Sequence, residues 1–175
     1  QAWNAFVDVY AAAMRGDEAS AQAQLRAIAT ARGAGDPGEP QQAAYMDILE
    51  DELHGLIDIR NGSTDAGVAA IRTAAARYDA MPFDFGPPVP VKPPHELLGE
   101  QLLAQGKPAE ARVEFEASLK MAPERALSLL GLARAQAAAG DGKAAAATYR
   151  HLIGIWHAAD ADLPALAEAR KYVAR

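Results

Sequence analysis

The chain predicts an all-α fold of stacked helical hairpins, and three observations carry that prediction. Four short turns share one spelling: Gly16–Ala21 (GDEASA), Gly62–Gly67 (GSTDAG), Gly106–Ala111 (GKPAEA) and Gly140–Ala145 (GDGKAA). Each puts Gly where one helix stops and a small residue inside the next helix. Ala and Leu dominate and runs of β-branched residues are nearly absent, so propensity favours helix outside the Gly/Pro stretches. A chain of 175 residues, half of them hydrophobic, can bury roughly 70% of the surface its unfolded form exposes, which suits one continuous stacked core.

The elements follow in order. Trp3, Phe6, Val7 and Tyr10 fall at i, i+3, i+4 and i+7, one apolar face of a first helix that Gly16 stops near Arg15. A second helix starts near Asp17 with Leu25 and Ile28 inward, and ends in the breaker-rich stretch from Gly33 to Pro40. A third, Gln41 to Arg60, carries Met46, Leu49, Leu53 and Leu56, and a fourth runs from Gly62 to about Met81. Six prolines between Pro82 and Pro94 forbid helix and favour an extended polyproline II bridge. Beyond it the turn glycines Gly106 and Gly140 lie 34 residues apart, and the same offset relates Leu98 to Leu132, Ala111 to Ala145 and Phe115 to Tyr149.

That period and those residue types resemble the tetratricopeptide repeat, two antiparallel helices per unit of 34 residues. Leu98-Gly99 matches the family's Leu-Gly pair, Leu132-Ala133 less strictly; Ala111, Phe115 and Pro123 fit one unit, and Ala145 and Tyr149 the next. The match is clear over residues 94–157 and degenerate over 1–81, where His54 stands in the place of Leu and Gly67 in that of Ala. The Ala content and the preference for Arg over Lys resemble bacterial proteins of this class. The resemblance implies one α-solenoid over 1–175: hairpin 1 at 1–31, hairpin 2 at 41–81, a Pro-rich linker at 82–94, repeats at 95–122 and 125–158, and a capping helix at 163–175. The last helix, opened by a Pro, would cover the end of the stack.

Charge and composition exclude several functions. The net charge is -6: residues 1–91 hold 6 Lys or Arg against 13 Asp or Glu, and residues 92–175 hold 11 against 10. An acidic first half repels a phosphate backbone, so nucleic acid is not expected as a partner. No run of eighteen apolar residues exists to cross a membrane, and without Cys there is no disulfide framework or thiolate chemistry. The start at Gln1 reads as a processed chain or a piece of a longer one. The compartment stays open between cytoplasm and, had a signal peptide been removed, periplasm or exterior.

Candidate chemistry is sparse. His95-Glu96-Leu97-Leu98-Gly99 begins like a zinc-protease helix but lacks its second His, and no nucleophile elbow, phosphate loop or dinucleotide fingerprint occurs. Asp47, Asp51, His54 and Asp58 share one helical face; they read as a solvated acidic face, with a divalent-ion site as the weaker alternative. His151 and His157, six residues apart, point in different directions, so with Trp156 they read as packing or capping groups.

No enzyme and no cofactor are expected. The resemblance implies a non-catalytic module or scaffold that binds a protein, as a peptide or partner helix, in its concave groove. Matching positions assigns Phe6, Tyr10, Glu52, Leu56, Glu96, Glu100, Leu130 and Arg134 to that groove, whose acidic members favour a basic or polar ligand. A clamp for carboxylate-ended peptides needs more cations than Arg134 provides. The alternatives are a self-associating segment with further flanking repeats, or an accessory protein with an ion on the acidic helix.

Overall fold

The computed structural model describes residues 2–15, 17–33, 40–82 and 92–174, and among them every regular element is an α-helix. The chain divides into two compact units, Gln1–Leu97 and Leu98–Arg175. Unit 1 holds α1 (Ala2–Arg15), α2 (Glu18–Gly33), α3 (Pro40–Arg60), α4 (Thr64–Asp79) and the first turn of α5 (Pro94–Ala104). Unit 2 holds the rest of α5, then α6 (Pro108–Met121), α7 (Ala126–Ala138), α8 (Gly142–Ile155) and α9 (Pro164–Val173). The fold is all-α and tetratricopeptide-like.

Three of the four predicted turn glycines adopt the left-handed backbone that their place requires: φ is 87° at Gly62, 72° at Gly106 and 84° at Gly140. Each is followed by a six-residue closing bond, from the Ser63, Lys107 and Asp141 N–H to the carbonyls of Asp58, Leu102 and Gln136, the Schellman helix stop. Gly16 lies outside the described residues, yet the Asp17 N–H makes the equivalent bond to Ala12 at 2.9 Å. The next helix is then started in different ways. Asp17 and Asp141 accept from the Ser20 and Ala144 N–H at 3.1 and 3.0 Å, whereas α6 opens on Pro108, whose fixed φ suits a first turn.

In unit 1, α1 pairs with α2 and α3 with α4, and α3 also packs on α1 and α2. The predicted stripe Met46, Leu49, Leu53 and Leu56 is buried, but so are Ile48 and Glu52, because α3 has neighbours on two sides. The expected face of α1 is corrected: Val9, Ala12 and Ala13 are buried while Val7 is 52% exposed, since small side chains let the neighbouring helices come closer. The side chains of Trp3, Phe6 and Ile28 lie outside the description, as do the loop 34–39 and residues 83–91 of the Pro-rich bridge. Boundaries shift by a few residues: α2 extends through Gly33, α3 starts at Pro40, α4 ends at Asp79 and α8 at Ile155.

The irregular second hairpin keeps the repeat's register. A Cβ on Gly55 would lie 2.5 Å from Ile71 Cγ1 and 2.6 Å from the Gly67 carbonyl, and one on Gly67 would press equally hard on Gly55 and Ile59. The two glycines face each other where α3 and α4 cross, so the Ala expected at Gly67 has no room. In unit 2 a Phe ring fills the corresponding gap: a Cβ on Gly99 would lie 2.9 Å from Phe115, and one on Gly131 would be closer still. Phe115 is fully buried between them.

In unit 2, α6 packs on α7, α7 on α8 and α8 on α9. Ala169 of α9 joins Leu129, Leu130, Ala133, Tyr149 and Leu152 in one cluster, Leu166 is fully buried, and Tyr172 stacks obliquely on Tyr149 with ring centroids 4.8 Å apart. Thus α9 covers the face that α7 and α8 leave open.

Two stability tests follow. Gly67→Ala gains about 1 kcal/mol in helix propensity, against about 1–3 kcal/mol for overpacking onto backbone. A net loss in urea unfolding is expected, and a gain would show that α3 and α4 can separate freely. Phe115→Ala should cost about 3–5 kcal/mol, measured in the same way.

Candidate partner-binding site

The turn chemistry of unit 2 sets α5 and α7 side by side with α6 behind them, and a concavity of about 360 Å3 opens on this face. Leu103 and Ala104 of α5 line it with Leu127 and Leu130 of α7, Gly131 and Phe115 form its floor, and Glu100 and Arg134 supply the charge. Gly131 has no side chain because the Phe115 ring takes that space. Leu127 is 48% exposed, a large apolar side chain at the mouth. Beneath, the buried hydroxyls of Ser118 and Ser128 bond each other at 2.9 Å and thereby join α6 to α7.

Arg134 is not an open anion receptor. Its Nε and Nη2 donate to the two oxygens of Glu168 on α9 at 2.8 and 2.5 Å, and the Tyr149 hydroxyl donates to the same carboxylate at 2.7 Å. The Arg134 hydrogen bonds hold the Glu168 carboxyl below its usual range, with Tyr149 adding to the effect against partial burial. The Tyr149 phenol is pushed up, first by burial and then by Glu168. The capping helix therefore reaches the edge of the concavity through one carboxylate.

Of the residues assigned to the groove, Glu100, Leu130 and Arg134 come together here. Tyr10 is half-buried on α1, and the side chain of Phe6 lies outside the described residues. Glu52, Leu56 and Glu96 are in the interior of unit 1, at 0%, 3% and 0% exposure. They present no surface to a ligand, because α3 is covered on two sides and Lys92 closes on Glu96 at 3.1 Å. Sequence matching missed Leu103, Leu127 and Phe115, although Leu103 and Leu127 stand on the first helix of each regular repeat.

The acidic face of α3 meets a cation from the protein itself. Arg77 of α4 lies 3.6 Å from Asp47 and 2.8 Å from Asp51, while His54 is exposed and Asp58 half-buried. Burial raises the Asp51 carboxyl above its usual value despite Arg77. Among the described residues no group of three His, Asp or Glu side chains is placed to hold a metal ion. His95, the first residue of the partial zinc motif, sits in the first turn of α5 with Nε2 3.0 Å from Asp79. Trp156 packs on the cluster under α9, and His157 Nδ1 lies 3.1 Å from the Gly154 carbonyl. No described helix is long and apolar enough to cross a membrane.

A tetratricopeptide repeat family model matches residues 102–155, from the last turn of α5 to the end of α8. That stretch is of the tetratricopeptide type, a class of repeat that generally mediates protein–protein interaction and is typically not enzymatic. No curated protein and no solved structure matches the chain.

The Glu168 contact has a pH signature. A carboxyl whose folded pKa is depressed contributes stability above its unfolded value and loses it as pH falls through the folded one. Hydrogen-exchange protection of α9 should therefore drop on acidification below the usual glutamate range, and Glu168→Gln should weaken it at neutral pH. Equal protection in both chains at every pH would show the contact to be without effect.

Proposed function

We propose that unit 2 is a peptide-binding module that receives a segment of a protein partner on the face formed by α5 and α7. The observation that carries the reading is the concavity itself, an apolar floor of Phe115 and Gly131 with the half-exposed Leu127 at its mouth. A water-exposed Leu beside a preformed apolar hollow is the arrangement into which a partner's apolar side chain inserts.

Charge narrows the partner. Glu100, Glu168 and Arg134 together leave one net negative charge at the rim, so a basic residue next to the apolar anchor is favoured over an acidic one. An acidic or carboxylate-ended peptide would have to displace Glu168 from Arg134 before it gained a cation.

Binding to a peptide array, followed by fluorescence anisotropy, tests this. Peptides with an apolar residue beside Lys or Arg should bind best. Leu127→Glu, at an exposed position, should weaken them on the order of thirtyfold, the effect of losing a hot-spot contact, with the fold kept. Preferential binding of acidic-tailed peptides would overturn the reading.

A further inference from the structure

Glu52 lies in the interior of unit 1, fully buried, and among the described residues neither of its carboxyl oxygens has a hydrogen-bond partner. Glu96, in the first turn of α5, is also at 0% exposure and pairs with Lys92 Nζ at 3.1 Å. Lys92 is itself nearly enclosed, its side chain 12% exposed. Glu52 feels both of them: Lys92 attracts its charge and Glu96 repels it. Among the described residues the cluster thus brings two carboxyl groups to the Lys92 ammonium.

Several charges of the described residues on the neighbouring elements are engaged elsewhere or face water. Arg77 of α4 is held by Asp47 and Asp51, and His95 meets Asp79. Asp8 and Arg15 of α1, Arg26 of α2 and His54 of α3 are exposed, and Glu50 of α3 is half-buried. An ionised carboxylate in such an interior is unfavourable unless it is paired and hydrogen-bonded. A proton removes that cost.

We propose that Glu52 is a proton-binding site built into unit 1: it is held as the neutral acid in the folded chain, and its ionisation loosens α3 from Lys92 and the first turn of α5. Burial pushes the Glu52 carboxyl well above the usual range, and Lys92 offsets this only in part. A raised folded pKa means that the stabilisation is complete below the unfolded value and is lost as pH rises through the folded one. Between the two values the folding equilibrium falls by about tenfold per pH unit, and above the folded value it levels off.

The test uses the full chain. Hydrogen-exchange protection of α3 amides, corrected for intrinsic rates, is followed from about pH 5 to about pH 8 in wild type and Glu52→Gln, which keeps the shape and cannot ionise. Wild-type protection should fall across this range, and the fall should be absent in Glu52→Gln. An infrared carbonyl band of a buried protonated carboxylic acid should be present in wild type at neutral pH and missing from the variant. Identical pH profiles, or no band that the substitution removes, would overturn the proposal. If Glu52→Gln fails to fold, the wild-type band alone decides: its presence at neutral pH and bleaching at alkaline pH are required, and its absence refutes the site.

Discussion

The α3–α4 hairpin depends on how closely two helix backbones approach at one pair of small residues. Gly55 and Gly67, Gly99 and Ala111, and Ala133 and Ala145 stand at the same spacing in three hairpins, and the alanines are fully buried. Where both members are glycine, the backbones of α3 and α4 come so near that a methyl group would strike a carbonyl oxygen. Where the approach leaves a gap, Phe115 fills it from the far side, against Gly99 and Gly131. The hollow of unit 2 lies over the same place: Gly131 and Phe115 are both among its lining residues.

The same packing decides which polar groups can meet a ligand. Because α3 is enclosed by α4 on one side and by α1 and α2 on another, a glutamate at a groove position becomes an interior group. Its charge must then be cancelled by a proton or a cation within the protein. On α7, with one face left open, Arg134 remains at the surface and is instead taken by Glu168 from the capping helix. Packing over α7 and α8 and setting the charge at the rim of the hollow are thus two effects of one helix. The Arg134–Glu168 contact is partly exposed, so water and salt weaken it.

The two regular repeats and the turn stops were readable in the chain. The order Gly, capping or Pro residue, small residue, aromatic is local chemistry, and the structure keeps it at Gly106 and Gly140. The lining of the hollow was readable only in part. Position in the repeat picked out Glu100, Leu130 and Arg134, which line it, and also Glu52, Leu56 and Glu96, which are buried, because that rule ignores what covers each helix. Leu103 and Leu127 were passed over because an apolar residue on a helix reads as core until the open face is known. The acidic stripe of α3 was likewise visible as a pattern, while its pairing with Arg77 depended on the crossing of α3 and α4.

The sequence by itself determined where the helices stop, which residues are small enough for close approach, and that the repeating unit is tetratricopeptide-like. Those are properties of single turns and of a fixed spacing, set by backbone sterics and propensity within a few residues. Tertiary structure alone decided that Glu52 is interior, that Arg134 is already occupied, and that Leu127 lines a hollow. Burial and charge pairing are set by residues distant in the chain, and no local pattern carries them.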